Sequence, residues 1–383
     1  MRTKSGRGDV LLVCMVLFLV VFGLAVLYST GSYNGSVRFG DAFYYMKKQF
    51  FAAALGMLAM YLISCMDYHI FEKYAIAAYL ISLALSTLVL FAGNAYNGSR
   101  RWLSLGPLSF QPSEFAKLAV ILFLARMVGR QKKKRNSFLN LVFVIALVLP
   151  IVALVGTNNL STAIIILGIA VIVVFVSDKR YMQFVWIAAA GAGMMALFLG
   201  MESYRLERIA IWKNPEAYEK GYQTIQGLYA IGSGGLFGRG FGESIQKLGF
   251  VPEAQNDMIF AIVCEELGVF GAAMLTLMFI FLLYRLMFIA QNAPDLLGSL
   301  IATGIFSHIA LQVVLNIAVV INLIPTTGIT LPFVSYGGTS ILFLMAEMAL
   351  ALSVSRQIRF REEEDVAKLQ EQYKRTRKAG GYR

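Results

Sequence analysis

Apolar residues recur in stretches of roughly 18 or more along almost the whole chain, each long enough as a helix to cross a hydrocarbon core of about 30 Å. The pattern predicts spans at 10–30, 48–66, 74–92, 112–129, 138–156, 160–177, 182–200, 259–285, 298–322 and 338–356. The runs are unbroken rather than alternating, which suits helices and argues against strands and against an outer-membrane barrel. The expected fold is an all-α integral membrane bundle of about ten transmembrane helices filling residues 10–356. It has a short terminus at 1–9, one large loop at about 201–258, and a charged tail at 357–383. Little chain is left for a separate water-soluble domain. The first run, Val10 to Tyr28, is too long for a signal-peptide core and no small-residue cleavage pattern follows it, so it reads as a retained helix.

Composition agrees: 58% of the 383 residues are hydrophobic and 15% are charged, against about 25% charge in a soluble domain. The net charge of +12 raises nucleic acid as a partner, but its placement excludes that. Arg2, Lys4 and Arg7 precede the first span, Arg130 and Lys132–Arg135 fill one short loop, and the tail after Arg356 carries more Lys and Arg than acid. This is the bias of cytoplasmic loops facing anionic membrane lipids. Ten spans put both termini on that same side. The expected location is the cytoplasmic (inner) membrane, multi-pass, with both termini cytoplasmic. Cys14, Cys65 and Cys264 lie singly in apolar runs without CxxC spacing, so neither disulfides nor a zinc site are indicated, and they read as small packing residues.

The opposite, extracytoplasmic side receives stretches 93–110, 201–258 and 323–338, and the longest of these is of a length that more often works than idles. Chemistry is expected there. Gln111-Pro112-Ser113-Glu114-Phe115-Ala116-Lys117 opens a helix, and Glu114 and Lys117, three apart, share a face. They are either a buried pair that fixes packing or an orienting acid and a cation that meets an anionic headgroup. Arg100, Arg101 and Trp102 stand just before, as interfacial anchors or as phosphate ligands. Tyr204–Ile209 brings Arg205, Glu207 and Arg208. The glycines of Gly232-Ser233-Gly234-Gly235-Leu236-Phe237-Gly238 lack the lysine and strand of a nucleotide loop and allow tight turns or close backbone approach. Asp257, the last acid before a long apolar helix, suits either a helix N-cap or a partly buried base. Glu265 and Glu266 follow two turns deeper, to bear protons or to bind the bundle by hydrogen bonds. His308, Gln312 and Asn316 form one stripe, the usual glue between membrane helices, and no second ligand makes His308 a metal site.

Five segments in order resemble the SEDS family (shape, elongation, division and sporulation), which includes FtsW and RodA. They are Arg101-Trp102-Leu103, Gln111–Lys117, Gly232–Gly238, Pro252–Asp257 running on to Glu265-Glu266-Leu267-Gly268, and Leu331–Ser340. The resemblance implies a peptidoglycan glycosyltransferase that polymerises lipid II at the outer face of the membrane, beside a class B penicillin-binding protein and other division or elongation proteins. Asp257 would be the general base. Substrate contacts are expected at Arg101, Trp102, Glu114, Lys117, Arg205, Arg208, Gln226, Ser335 and Tyr336, with the cations stabilising the undecaprenyl pyrophosphate leaving group. A divalent cation, Mg or Mn, could share that task, although the sequence marks no site for it. One departure stands out: where the family commonly has Pro-Asp-Leu-Gly-Thr, this chain has Asn158-Asn159-Leu160-Ser161-Thr162, with an amide for the acid. Lys247–Ala254 is closer to the FtsW and sporulation branch, which favours septal synthesis. A lipid II flippase and a non-catalytic scaffold recruiting a synthase are the competing functions. A flippase would spread charge through the middle of several spans, and here most charge gathers at the outer mouth.

Overall fold

The computed structural model describes residues 8–96, 99–105, 108–130, 138–177, 193 and 203–358. Helices α1 (Val10–Phe39), α2 (Tyr44–Ser64), α3 (His69–Ala92), α4 (Pro112–Arg130), α5 (Phe138–Asn158) and α6 (Leu160–Ser177) form the first half. The second half contains α7 (Ser203–Lys213), α8 (Tyr222–Gly234), α9 (Ile259–Asn292), α10 (Leu296–Val320) and α11 (Thr339–Ser355). Nine of the ten expected spans thus fall on described helices, and the tenth, 182–200, lies outside the described residues apart from Gly193. By length and composition α1, α3, α6, α9 and α10 are able to cross a membrane. The chain is a multi-pass membrane protein, and the large loop is itself helical in α7 and α8.

Strands, which the sequence did not lead us to expect, occur between α3 and α4. Antiparallel β1 (Asn94–Tyr96), β2 (Ser99–Leu105) and β3 (Leu108–Phe110) form a small sheet in the order β1-β2-β3. The argument from long unbroken runs holds for the spans. It does not reach a loop of Asn, Ser, Arg and Gly, where two short hairpins satisfy the backbone locally.

α4, α10 and α11 sit at the centre and are buried along most of their length. α2 and α3 lie outside and turn Phe50, Leu58, Leu62, Leu80 and Phe91 outward, as expected of lipid-facing helices. One end of the bundle is tied by charge. Arg285 pairs with Asp9, which also caps α1, and His69 Nε2 meets Asp295, which caps α10. Arg130 reaches Glu72, and Ser353 donates to the Met66 carbonyl.

Two helices measure the distance from this end. Ser29 is 20 residues along α1 from Asp9 and Gly268 is 17 residues along α9 from Arg285, which at 1.5 Å per residue gives about 30 and 26 Å. Both distances approximate one hydrocarbon thickness. The end of α1 beyond Ser29 therefore extends past one hydrocarbon thickness, and its Arg38 and Phe39 wall the polar region there.

At that level α9 breaks. Gly268 has φ 67° and ψ −168°, which an L-residue rarely adopts. The break frees carbonyls and amides, and the glycine-rich segment after α8 takes them up. Arg239 N donates to Glu265 O, Gly240 N to Glu266 O, Val269 N to Gly235 O and Phe270 N to Leu236 O, at 2.9 to 3.1 Å. A Cβ on Gly238 would stand 2.2 Å from Glu266 O. These glycines serve close backbone approach, and what they approach is α9.

Candidate active site

A cavity of about 1200 Å³ opens at the end of the bundle opposite Asp9. Its walls come from the overhang of α1, the β-hairpins, the first turns of α4 and α6, the loops around α7 and α8, and the returning segment 321–338. That segment has non-helical backbone deep in the bundle, so its polar groups need partners. Side chains supply them: Gln312 donates to Thr330 O (2.9 Å), Asn316 to Ile329 O (2.7 Å), Ser161 to Thr327 O (2.9 Å) and Trp212 to Asn322 O (3.0 Å). Gln49 holds Ser335 O (3.3 Å), and Tyr336 N donates to Gln255 O (2.9 Å).

Asp257 stands half-buried in the wall. It does not cap α9: the capping position is Met258, and no side chain caps there. Its backbone carbonyl accepts from Asn316 Nδ2 at 2.9 Å, and its carboxylate accepts from Gln223 Nε2 at 3.4 Å. Burial, foremost, pushes the carboxyl up to about 6, and the negative Glu253 adds to the rise. An amide N–H, Gln223 and the cation of Arg208 pull the other way.

Cations share the cavity. Lys117, 2% exposed, pairs with Glu114 at 2.8 Å and donates to Gln312 Oε1 at 3.1 Å. Glu114 also accepts from Ser340 Oγ at 2.6 Å. Arg101 donates through Nε to the Asn158 carbonyl (2.7 Å), and Arg208 to the Thr326 carbonyl (3.1 Å). The Glu114–Lys117 pair is buried in the packing of the bundle and also lines the cavity. Trp102 lines the cavity as well, and so does Tyr336, whose ring meets Tyr45 edge-on and whose hydroxyl burial pushes up to about 12.

Two residues expected to contact substrate do not line the cavity. Ser335 turns inward, its hydroxyl accepting from Leu331 N at 2.8 Å, and serves the loop rather than the cavity. Gln226 is one turn past Gln223 on α8 and does not line the cavity. The side chain of Arg205 lies outside the described residues.

Glu265 and Glu266 do not reach the cavity either. Glu265 accepts from Ser244 Oγ, Ile245 N and Gln246 N, while Glu266 pairs with Lys247 at 2.8 Å and accepts from Ser29. They bind the loop to the bundle, the second role open to them in the sequence. Asn159 Oδ1 accepts from Thr162 N at 3.2 Å and so caps α6, a task an amide performs as well as an acid. Of the cysteines, only Cys264 is buried; Cys14 and Cys65 are exposed on the apolar surface.

Sequence reasoning missed Arg38, Gln223 and Gln255 in the cavity wall. Arg38 could not be found because the apolar run of α1 stops near Tyr28 while the helix continues to Phe39. Among the described residues no group of three or more His, Cys, Asp or Glu gathers to hold a metal. Glu253 also lines the cavity, and its carboxylate would help hold an ion that completes its shell with phosphate oxygens.

Residues 9–360 match the model of the FtsW/RodA/SpoVE family, described as cell cycle protein. Stage V sporulation protein E of Bacillus subtilis is 41% identical over 94% of this chain and 100% of its own length. A probable peptidoglycan glycosyltransferase FtsW of Trichlorobacter lovleyi is 35% identical, over 92% of this chain and 94% of its own. Among solved structures, a chain of a peptidoglycan synthase complex that coordinates polymerization and crosslinking superposes with TM-score 0.76 at 30% identity, covering 91% of this chain and 98% of that one. The rod shape determining protein RodA of Thermus thermophilus superposes at 0.69 and 29%, covering 92% and 98%.

Proposed function

This chain belongs to the FtsW/RodA/SpoVE family and is a peptidoglycan glycosyltransferase, and on that premise we propose that it polymerises lipid II at the outer face of the cytoplasmic membrane with Asp257 as general base. The observation that carries the reading is a carboxyl raised to about 6, set in a large polar cavity that also holds Lys117, Arg101 and Arg208. A base with a pKa close to working pH is mostly ionised and still accepts a proton readily.

Asp257 takes the proton of the acceptor's GlcNAc 4-hydroxyl, and that oxygen bonds to the donor's anomeric carbon. The bond from that carbon to the undecaprenyl pyrophosphate oxygen breaks, and the pyrophosphate departs with the electron pair. Its charge develops among the cations, where a preformed electrostatic site is worth most. A divalent ion, Mg or Mn, would add charge at the same pyrophosphate.

The sidedness follows from the basic loops. Arg130 closes α4 at the end that holds Asp9, and the basic run Lys132–Arg135 follows it in sequence, so the positive-inside bias supports a cytoplasmic assignment for that end and both termini and an extracytoplasmic one for the cavity. The growing glycan leaves on a lipid anchor in the outer leaflet. A class B penicillin-binding protein cross-links it, with other division or elongation proteins alongside, and septal synthesis is the process that fits the FtsW relatives.

The test is polymerisation of lipid II by the purified protein with its penicillin-binding partner. Wild type yields glycan strands, whereas Asp257→Asn yields none and keeps its thermal unfolding temperature. Full activity in that variant overturns the assignment. Transbilayer movement of lipid II without polymer would make the protein a flippase.

A further inference from the structure

Lys117 is held from two sides. Glu114, one turn earlier on α4, holds the ammonium at 2.8 Å, and Gln312, on α10, holds it at 3.1 Å, all three residues lining the cavity. The orientation of the Gln312 amide therefore decides where the charge sits.

That orientation is fixed. Gln312 Nε2 donates to the Thr330 carbonyl, which leaves Oε1 facing Lys117 Nζ at 3.1 Å and His308 Nε2 at 2.7 Å. An amide oxygen only accepts, so His308 carries its proton on Nε2. The other ring nitrogen, Nδ1, lies 2.7 Å from Glu347 Oε2, and one proton lies between them. His308 is 1% exposed and Glu347 0%, and neither lines the cavity. Glu347 Oε1 has no hydrogen-bond partner among the described residues. Joining α10 to α11 would take only a neutral polar contact, and an ionisable pair with an unpartnered oxygen is an expensive way to achieve it.

We propose that His308 and Glu347 are a positioning pair that acts through Gln312 to hold the Lys117 ammonium at the cavity floor, where the substrate's pyrophosphate binds. Glu347 fixes the tautomer, the Nε2–H of that tautomer and the Thr330 carbonyl together hold the two ends of the amide, and the amide oxygen places the charge. The inference rests on the glycosyltransferase reading above and deepens it.

The experiment measures binding of undecaprenyl pyrophosphate to the full-length protein in lipid nanodiscs, with thermal unfolding recorded for every variant. Lys117→Met is expected to weaken binding by about tenfold, the effect of one hydrogen bond to a charged group. His308→Phe and Glu347→Leu each weaken it comparably and add little to Lys117→Met when combined with it, because they act through the same ammonium. Glu347→Gln binds like wild type, since its amide N–H serves Nδ1 and preserves the tautomer. A merely structural pair would lower the unfolding temperature and leave affinity unchanged. Wild-type affinity in Glu347→Leu, or losses that add in full to that of Lys117→Met, overturns the positioning role and leaves Lys117 as ligand. Wild-type affinity in Lys117→Met overturns the cationic floor, and this proposal with it. Should His308→Phe fail to fold, the contrast between Glu347→Gln and Glu347→Leu decides.

Discussion

On the proposed mechanism a single carboxyl and a single ammonium carry most of the chemistry, and each behaves according to what is packed around it. Lys117 is compensated by Glu114 in a place where an isolated charge costs several kcal/mol. Lys117→Met alone leaves Glu114 buried and unpaired and is expected to cost about 3–5 kcal/mol. The double variant Glu114→Gln with Lys117→Met removes both charges and should recover most of that loss, read as the midpoint of denaturant unfolding in detergent. Both residues were legible in the sequence, because i and i+3 on a helix share a face. Their partners were not. Gln312 arrives from 195 residues away, and nothing in local spacing announces it. Ser335 and Gln226 show the opposite failure: a motif or a polar side chain near the right segment does not say which way it faces.

At the level of elements, helices followed the hydropathy pattern and irregular segments did not. The break at Gly268 is hidden inside an apolar run, and the pairing of the glycine-rich segment with it depends on chain brought back from 30 residues upstream. Gly268→Ala would place a Cβ 2.4 Å from Gly238 N at a positive φ. We expect that substitution to lower stability by about 2 kcal/mol or more, with faster proteolysis of the segment after α8 as the local sign. The α6 cap behaves differently. Asn159→Asp restores the family's usual acid, keeps the hydrogen bond to Thr162 N and should leave the unfolding temperature nearly unchanged, whereas Asn159→Ala should cost about 1 kcal/mol. The small β-sheet escaped the sequence reading because its outer strands of three residues leave too short a pattern to separate from coil.

Across the whole molecule, charge at one end and a polar cavity at the other define an axis about one hydrocarbon layer long. In a protein lacking its three cysteines, a membrane-impermeant maleimide applied to intact cells should label Tyr218→Cys, beside the cavity loops. It should reach Lys73→Cys, near the Asp9 end, only after lysis. The bundle was readable from apolar runs, and the basic loops set the orientation expected of it, since membrane insertion acts on those same quantities. The cavity's depth was not, because it is made by the returning segment 321–338 and by the overhang of α1. On the proposed mechanism the cavity presents a base to the outer leaflet, and a base must lose its proton to act. The ionised fraction of Asp257 climbs as pH rises through about 6, so catalysis is suppressed below that value and levels off above it. The direct test is the initial rate of lipid II polymerisation by the protein and its penicillin-binding partner at saturating substrate from pH 5 to 8. The account predicts a tenfold fall per unit below a single apparent pKa near 6, and a rate independent of pH across that range would contradict it.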